Sequence, residues 1–503
     1  MAEKSRLIVD EIKQYVSNLD RDIYTVSNIP EEVVAVIFAY VSRSPKSFRD
    51  NIITVIKEEQ LGQERASKFH EKWVLNYGHA SVAEHAAVHI GIEKVSRLFS
   101  SLLELSNEYL SFTEYSQRYQ KPEKGDFYIP EEINKVPFLL NEYIELNHFL
   151  YDTYAKINDN LFEFLKMSFP VPDGKEEKAH LRAIEKIAFE DARYALNLAT
   201  LTNLGMTANA RAIEDTLTKL LSNKYPEARR RAKEIKEEVR FSVPTLVKYA
   251  EENKYMKETN EELEHITSSY FRSVHSNNKD DRRRRTEDHG VRLLDWTGKD
   301  TPNAEVSAIM KMINSILFEH SELRFEDIEI STKQKHLESN LVILRKAIDN
   351  LGKFDNPINA FKLINYEAEF TISEACWHQL LRHRRVNWFY KEPNVSNGIT
   401  IPPNIEKSGS TELLEEATTR SEDLFEKFMN ENLTQVASYV VMNAHNRCVL
   451  GKFDLWELYH LINLRMSEGA QWDIKNIIGL LAKEASKCHP NLVEPALKRV
   501  KTS

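Results

Sequence analysis

Residues Phe370–Trp388 read FTISEACWHQLLRHRRVNW. The run has helical periodicity as far as Gln379-Leu380-Leu381-Arg382-His383-Arg384, where it turns strongly basic. Positions 379, 382 and 383 stand at i, i+3 and i+4, which on a helix gathers an amide, a guanidinium and an imidazole on one face. Arg384 points elsewhere and extends the cationic end around the tip. Guanidinium forks donate several hydrogen bonds in a rigid plane, which suits phosphates and the carbonyl edges of bases or flavins. A basic helix end that only complements the helix dipole has the same pattern. The decision between the two rests on a second stretch that looks like the missing partner of the first.

Working outward, 503 residues exceed one ordinary core and predict more than one domain. Hydrophobic residues at 42% and charged residues at 29% predict a globular chain, and only 14 Gly and 16 Pro favour long helices over many tight turns. Cys376, Cys448 and Cys488 form no CxxC pair, so a reducing cytoplasm is expected. No signal-like apolar region opens the chain, and no span of about 20 apolar residues occurs, so no membrane partner is expected. A net charge of −9 argues against a general nucleic-acid binder.

In chain order, residues 1–70 read as three helices, with Pro30 at the first turn of the second. Gly78-His79-Ala80-Ser81-Val82-Ala83-Glu84-His85 then opens a turn. His85 and His89 stand four apart, but without HExxH or a third ligand nearby no metal is expected. The second stretch is SFTEYSQRY at 111–119. In extended chain Glu114, Ser116 and Arg118 project to one side, an acceptor, a hydroxyl and a cation in the row a nucleotide needs. Residues 136–255 read as strongly helical, with Arg229-Arg230-Arg231 a solvated face beside glutamates. HSNNKDDRRRRTEDHG, ending at Gly290, is polar throughout and marks a linker over 254–290 that carries the Arg282–Arg285 run.

Beyond it the pattern repeats. FYIPEEINK (127–135) echoes ITIPPNIEK (399–407), Asp191–Leu196 echoes His445–Leu450, and Ala228–Arg231 echoes Ala470–Asp473. One period of half the chain implies a duplicated domain rather than a solenoid. The expectation is an α+β, predominantly helical chain with domains at 1–253 and 291–503.

Together these motifs resemble the flavin-dependent thymidylate synthases, ThyX, whose features are GHxSxxEH, RHRxxSxNExSxRY, EARxxLP, NxR, and LR followed by AQxEI. Here they are divided between the halves. The first carries GHASVAEH (78–85), SFTEYSQRY (111–119), EDARYAL (190–196) and NAR (209–211); the second carries QLLRHR (379–384), HNRCVLG (445–451) and NLRMSEGAQWDI (463–474). The departures are complementary. Spacing from Tyr119 puts Ser106-Asn107-Glu108 where RHR belongs, and Leu220 stands for the late arginine. In the second half RVNWFYKEPNVS replaces the serine loop, Asp454 and Trp456 replace the late Asn and Arg, and NPINAF (356–361) replaces GHxSxxEH.

The resemblance implies two tandem ThyX-like domains forming a pseudo-dimer, and a homodimer that mimics the family's tetramer. It implies methylation of dUMP to dTMP, with methylenetetrahydrofolate as carbon donor, FAD as cofactor and NADPH as reductant. By motif position Gln379, Arg382, Glu114, Ser116, Arg118, Arg193 and Arg465 would bind substrate, Arg382 and Arg465 being the catalytic candidates. His79, Ser81, Glu84, Asn209, Arg211, His383 and Arg384 would hold the flavin. Cys376 reads as a core thiol. Two other readings stay open: a flavoprotein for another pyrimidine nucleotide, with Trp388, Phe389 and Tyr390 reshaping a pocket, and a non-catalytic interaction protein of the same descent.

Overall fold

Alternation decides where the strands fall. In the stretch Ala87–Ser96 (β1) Val88, Ile92 and Val95 are buried, and Ser111–Glu114 (β2) is a short edge. Leu201–Asn209 (β3) buries Thr202, Leu204, Met206 and Ala208, one residue in two, and so leaves the helix expected across 136–255. The three strands form an antiparallel sheet in the order β1-β3-β2. The computed structural model describes residues 12–41, 44–59, 80–172, 174, 176–271, 290–352 and 355–501. His79 and Arg282–Arg285 lie outside them.

The chain divides into two compact units, one of Met1–Tyr115 with Leu201–Ser273, the other of Ser116–Thr200 with Val274–Ser503. In the first, Ser96 ends β1 and caps the helix Arg97–Ser106, its Oγ accepting from the Phe99 N–H at 2.9 Å. The same hydroxyl donates to buried Glu227 on the helix Pro226–Val239 at 2.6 Å. Asn209 ends β3 and caps the helix Ala210–Leu221. The N-terminal helices Glu31–Val41 and Phe48–Glu59 fall where expected. Lys254–Tyr270, inside the expected linker, is helical with no buried residue.

The second unit runs through the same order. Its sheet holds Gly290–Trp296 (β4), Asn365–Ser373 (β5), Asn387–Tyr390 (β6) and Asn446–Asp454 (β7) in the antiparallel order β4-β5-β7-β6. Ser373 ends β5, caps the helix Glu374–Leu380 and donates to buried Asp473 on the helix Trp472–Cys488 at 2.5 Å. Asp454 ends β7 and caps the helix Leu455–Arg465. Glu227 and Asp473 thus hold corresponding capping serines, which moves the echo read from 228–231 and 470–473 by four residues. Counted from the asparagine and aspartate caps, Leu220 does stand at the place of Arg465. Counted from the serine caps, RHR falls on Leu105-Ser106-Asn107, one residue before the place given by spacing from Tyr119.

FYIPEEINK and ITIPPNIEK both lie in the second unit and open alike. Phe127 bridges Thr200, and Ile399 bridges His445, each followed by a helical turn and a long helix, Pro137–Ser168 and Thr411–Asn430. The stretches 196–198 and 441–443, each just before the residue so bridged, meet at an antiparallel bridge, Asn197 to Met442, flanked by Leu198 N–H to the Val441 carbonyl (2.9 Å) and Asn443 N–H to the Leu196 carbonyl (2.7 Å). Side chains from both halves of the sequence therefore share one core within this unit. No helix among the described residues is long and apolar enough to cross a membrane.

Candidate active site

The opening stretch is a strand before it is a helix. Phe370–Ser373 finishes β5, and the helix spans only Glu374–Leu380, every residue of it buried. Leu381 is its C-cap, so Arg382 and His383 sit on a turn rather than on the helix face expected for them. Arg382 and Arg384 face outward from this turn while His383 between them is buried.

What draws His383 inward lies more than 70 residues along the chain. Its Nδ1 stands 3.0 Å from Glu457 Oε1, and its Nε2 stands 2.9 Å from Arg465 Nε. A guanidinium only donates, so Nε2 is the acceptor and Nδ1 carries the proton toward Glu457. Burial and the Arg465 charge push the imidazole down to about 3, so His383–Glu457 is a hydrogen bond of a neutral ring and not an ion pair. Arg465 also gives an Nη2 hydrogen to the Gln379 carbonyl at 2.9 Å. Gln379 in turn donates from Nε2 to Gln471 Oε1 at 3.2 Å, and Gln471 to the Tyr194 hydroxyl at 3.1 Å. Tyr194 donates to Asp473 at 2.8 Å and closes the network onto Ser373.

Tyr194 belongs to the first half of the sequence, and so do the remaining cations. The chain turns after Tyr115, with Tyr119 N–H bonded to the Ser116 carbonyl at 3.0 Å. Glu114, Ser116 and Arg118 therefore do not project in a row. Arg118 is held by Glu190 at 2.5 Å and donates to the Gly469 carbonyl at 3.3 Å. Arg193 is buried, its carbonyl accepting from Asn443 Nδ2 at 2.8 Å. Burial first, and then the charges of Arg382 and Arg118, together bring Arg465 down to about 10. Arg465 stays cationic at neutral pH, amid guanidiniums from both halves. Such a cluster is stable when an anion sits among them. An open, largely apolar cavity of about 750 Å³ borders the site at Met466 and Trp472, with Lys475 on its wall.

The remaining candidates belong to the first unit. Glu114 is buried, and its Oε1 accepts from Arg97 (2.6 Å), Ser100 (2.8 Å) and Thr202 (3.2 Å), an engagement that fixes the sheet to its helix. Ser81 is exposed, Glu84 and Arg211 form an exposed ion pair at 2.5 Å, and Asn209 is spent on its cap. His85 stacks on Phe38, and His89 bonds Thr207 through Nδ1 at 2.8 Å, so each histidine is engaged separately. Cys376 is fully buried and its thiol is raised well above the usual range by that burial, which fits a core thiol.

Sequence reasoning passed over Asp191, Tyr194, Glu457, Gln471 and Asp473. Four of these lie inside the quoted motifs EDARYAL and AQWDI, where only Arg193 was singled out. Glu457 had a signal too, an acid three residues after the Asp454 cap.

The family described as thymidylate synthase complementing protein matches residues 24–245 and 292–491. A UPF0159 protein of Thermoplasma acidophilum is 26% identical over 90% of this chain and 93% of its own length. A UPF0159 protein of Chlamydia muridarum is 22% identical over 96% and 92%. A flavin-dependent thymidylate synthase of Clostridium tetani is 30% identical over 38% of this chain and 73% of its own length.

Proposed function

We propose that this chain, which belongs to the thymidylate synthase complementing protein family, is a flavin-dependent thymidylate synthase that methylates dUMP to dTMP. Methylenetetrahydrofolate is the carbon donor and NADPH the reductant. In this reading the chain is a tandem pair of ThyX-like domains, 1–253 and 291–503, acting as a pseudo-dimer in a cytoplasmic homodimer. One observation carries it: Ser116, Arg118 and Arg193 from the first half share a compact unit with Gln379, Arg382 and Arg465 from the second, and Arg118 and Arg382 both act on the charge of Arg465. That is the pairing the complementary loss of motifs requires.

Exposed Arg382 and half-buried Arg118 are the groups for the phosphate of dUMP, and Gln379 and Ser116 orient the base and sugar. Arg465 stabilises negative charge that develops on the uracil as its C5 attacks the methylene carbon. When bound, FAD supplies the hydride that reduces the transferred carbon to a methyl group. The exposed guanidinium of Arg384 suits its phosphates; Ser81, Glu84, Asn209 and Arg211, with His79 and His383, are the further positions that the family motif assigns to it. Trp388 packs on Trp377 and Phe370, with ring centroids at 5.3 and 5.7 Å.

Reconstitution tests the reading. Protein incubated with FAD and dUMP and then desalted should retain flavin absorbance, and Arg382→Ala should lose dUMP affinity about 10- to 100-fold, the usual cost of one charge-assisted contact. A chain that takes up neither FAD nor dUMP contradicts it.

A further inference from the structure

Glu457 is a buried carboxylate in the first turn of the helix whose last residue is Arg465. Its backbone N–H is capped by Asp454 at 2.7 Å, so its side chain is not needed for the helix start. That side chain instead reaches His383 Nδ1, while Arg465 occupies the opposite nitrogen of the same ring. We propose that Glu457 is a positioning residue. By accepting the Nδ1 proton it fixes the tautomer whose Nε2 accepts from Arg465 Nε, and so aims the rest of the guanidinium at the bound anion. The step from Arg465 to a nucleotide rests on the function proposed above; the tautomer of His383 does not.

The arrangement excludes the obvious alternative. His383, Glu457 and His460 bring potential ligand atoms within 4.8 Å of one another, as a metal site would. A neutral imidazole has one in-plane lone pair, and Arg465 takes it. A cation there would have to displace Arg465.

The device is sensitive to pH. The groups facing Glu457 are His383 on the turn after its helix, Arg385 on the same turn, and His460 and Asp454 from its own helix and cap. Arg465 lies across the imidazole, with Arg382 and Arg118 acting on it. Burial, opposed by His460 and Arg385 and helped by Asp454, leaves the Glu457 carboxyl raised to about 7. A protonated Glu457 can donate to Nδ1. The ring proton then moves to Nε2 and two N–H groups confront each other, breaking the contact with Arg465. Nucleotide affinity is therefore present above about pH 7 and is lost as the pH falls through it.

The test uses the full chain labelled with ¹⁵N-histidine, His383 being assigned by the resonance lost in His383→Gln. Long-range ¹H–¹⁵N spectra at pH 8 should show neutral His383 with the proton on Nδ1. Glu457→Gln, whose amide carbonyl is a stronger acceptor than that of a carboxylic acid and whose N–H is a weaker donor than its O–H, should keep that tautomer, and Glu457→Ala should not. In parallel, dUMP titrations from pH 6 to pH 8.5 should show wild-type affinity falling about tenfold toward the acid end. Glu457→Gln should bind within about threefold of wild type at pH 8, with that step gone, and Glu457→Ala should bind about tenfold more weakly throughout. A wild-type His383 protonated on Nε2, or Glu457→Gln as weak as Glu457→Ala in dUMP binding, overturns the proposal. So does a one-to-one shift of the His383 and His460 resonances by Zn²⁺ alone. Wild-type protein that binds no dUMP at any pH would remove the nucleotide reading, while the spectra would still decide the relay.

Discussion

Asp191 shows how much a single buried carboxylate can weigh beside the site. It ends the helix Glu177–Ala192, accepts from Trp472 Nε1 at 2.7 Å and from Asn404 at 2.8 Å, and is 1% exposed. Burial raises it from 3.8 to about 6, against those two hydrogen bonds. A folded-state value above the unfolded one means that the native protein holds the extra proton between these limits. Stability from this group is complete below about pH 4 and is lost as the pH rises through 6. The shift corresponds to about 3 kcal/mol. Asp191→Asn removes the titration, so melting temperatures measured from pH 4 to pH 7 should show the wild type losing ground to the variant as the pH rises. Parallel curves would show that Asp191 is ionised throughout. None of this could be read from EDARYAL, because the aspartate looks solvated until Trp472 and Asn404 arrive from more than 200 residues away.

Among the elements, β6 and β7 depend on one glycine. A Cβ on Gly451 would stand 2.7 Å from Trp388 Cζ3 and 3.2 Å from Phe370 Cε2, both ring atoms packed in the sheet face. Gly451→Ala should cost about 1–3 kcal/mol, seen as a lower midpoint in urea, and Gly451→Ala with Trp388→Phe should recover part of it. A wild-type midpoint for the single variant would mean that the Trp388 ring moves freely. Element types were partly legible. The helices 31–41 and 48–59 follow from local pattern, and so does a repeat of half the chain, although Asp191–Leu196 closes a helix where His445–Leu450 enters β7. β3 was hidden, because LTNLGMTAN sits between strong helix formers and its alternation includes Thr202. The length of the helix after β5 was hidden for another reason. It stops at Leu380 because His383 is claimed by Glu457 and Arg465, and no spacing within 370–388 announces them.

For the whole molecule, the reading from motifs divides the chain into domains at 1–253 and 291–503. In the structure the helices of 116–200 share a compact unit with 274–503. The central claim is that Arg118 and Arg382 of one chain serve one nucleotide site. The direct measurement is a dUMP titration on a mixed oligomer of Arg118→Ala and Arg382→Ala chains, co-expressed with different tags and purified through both. If each chain builds its own site, every site carries one lesion and the mixed oligomer binds no better than either parent. If sites form between chains, one intact site returns for about every two chains, and that recovery would contradict the account.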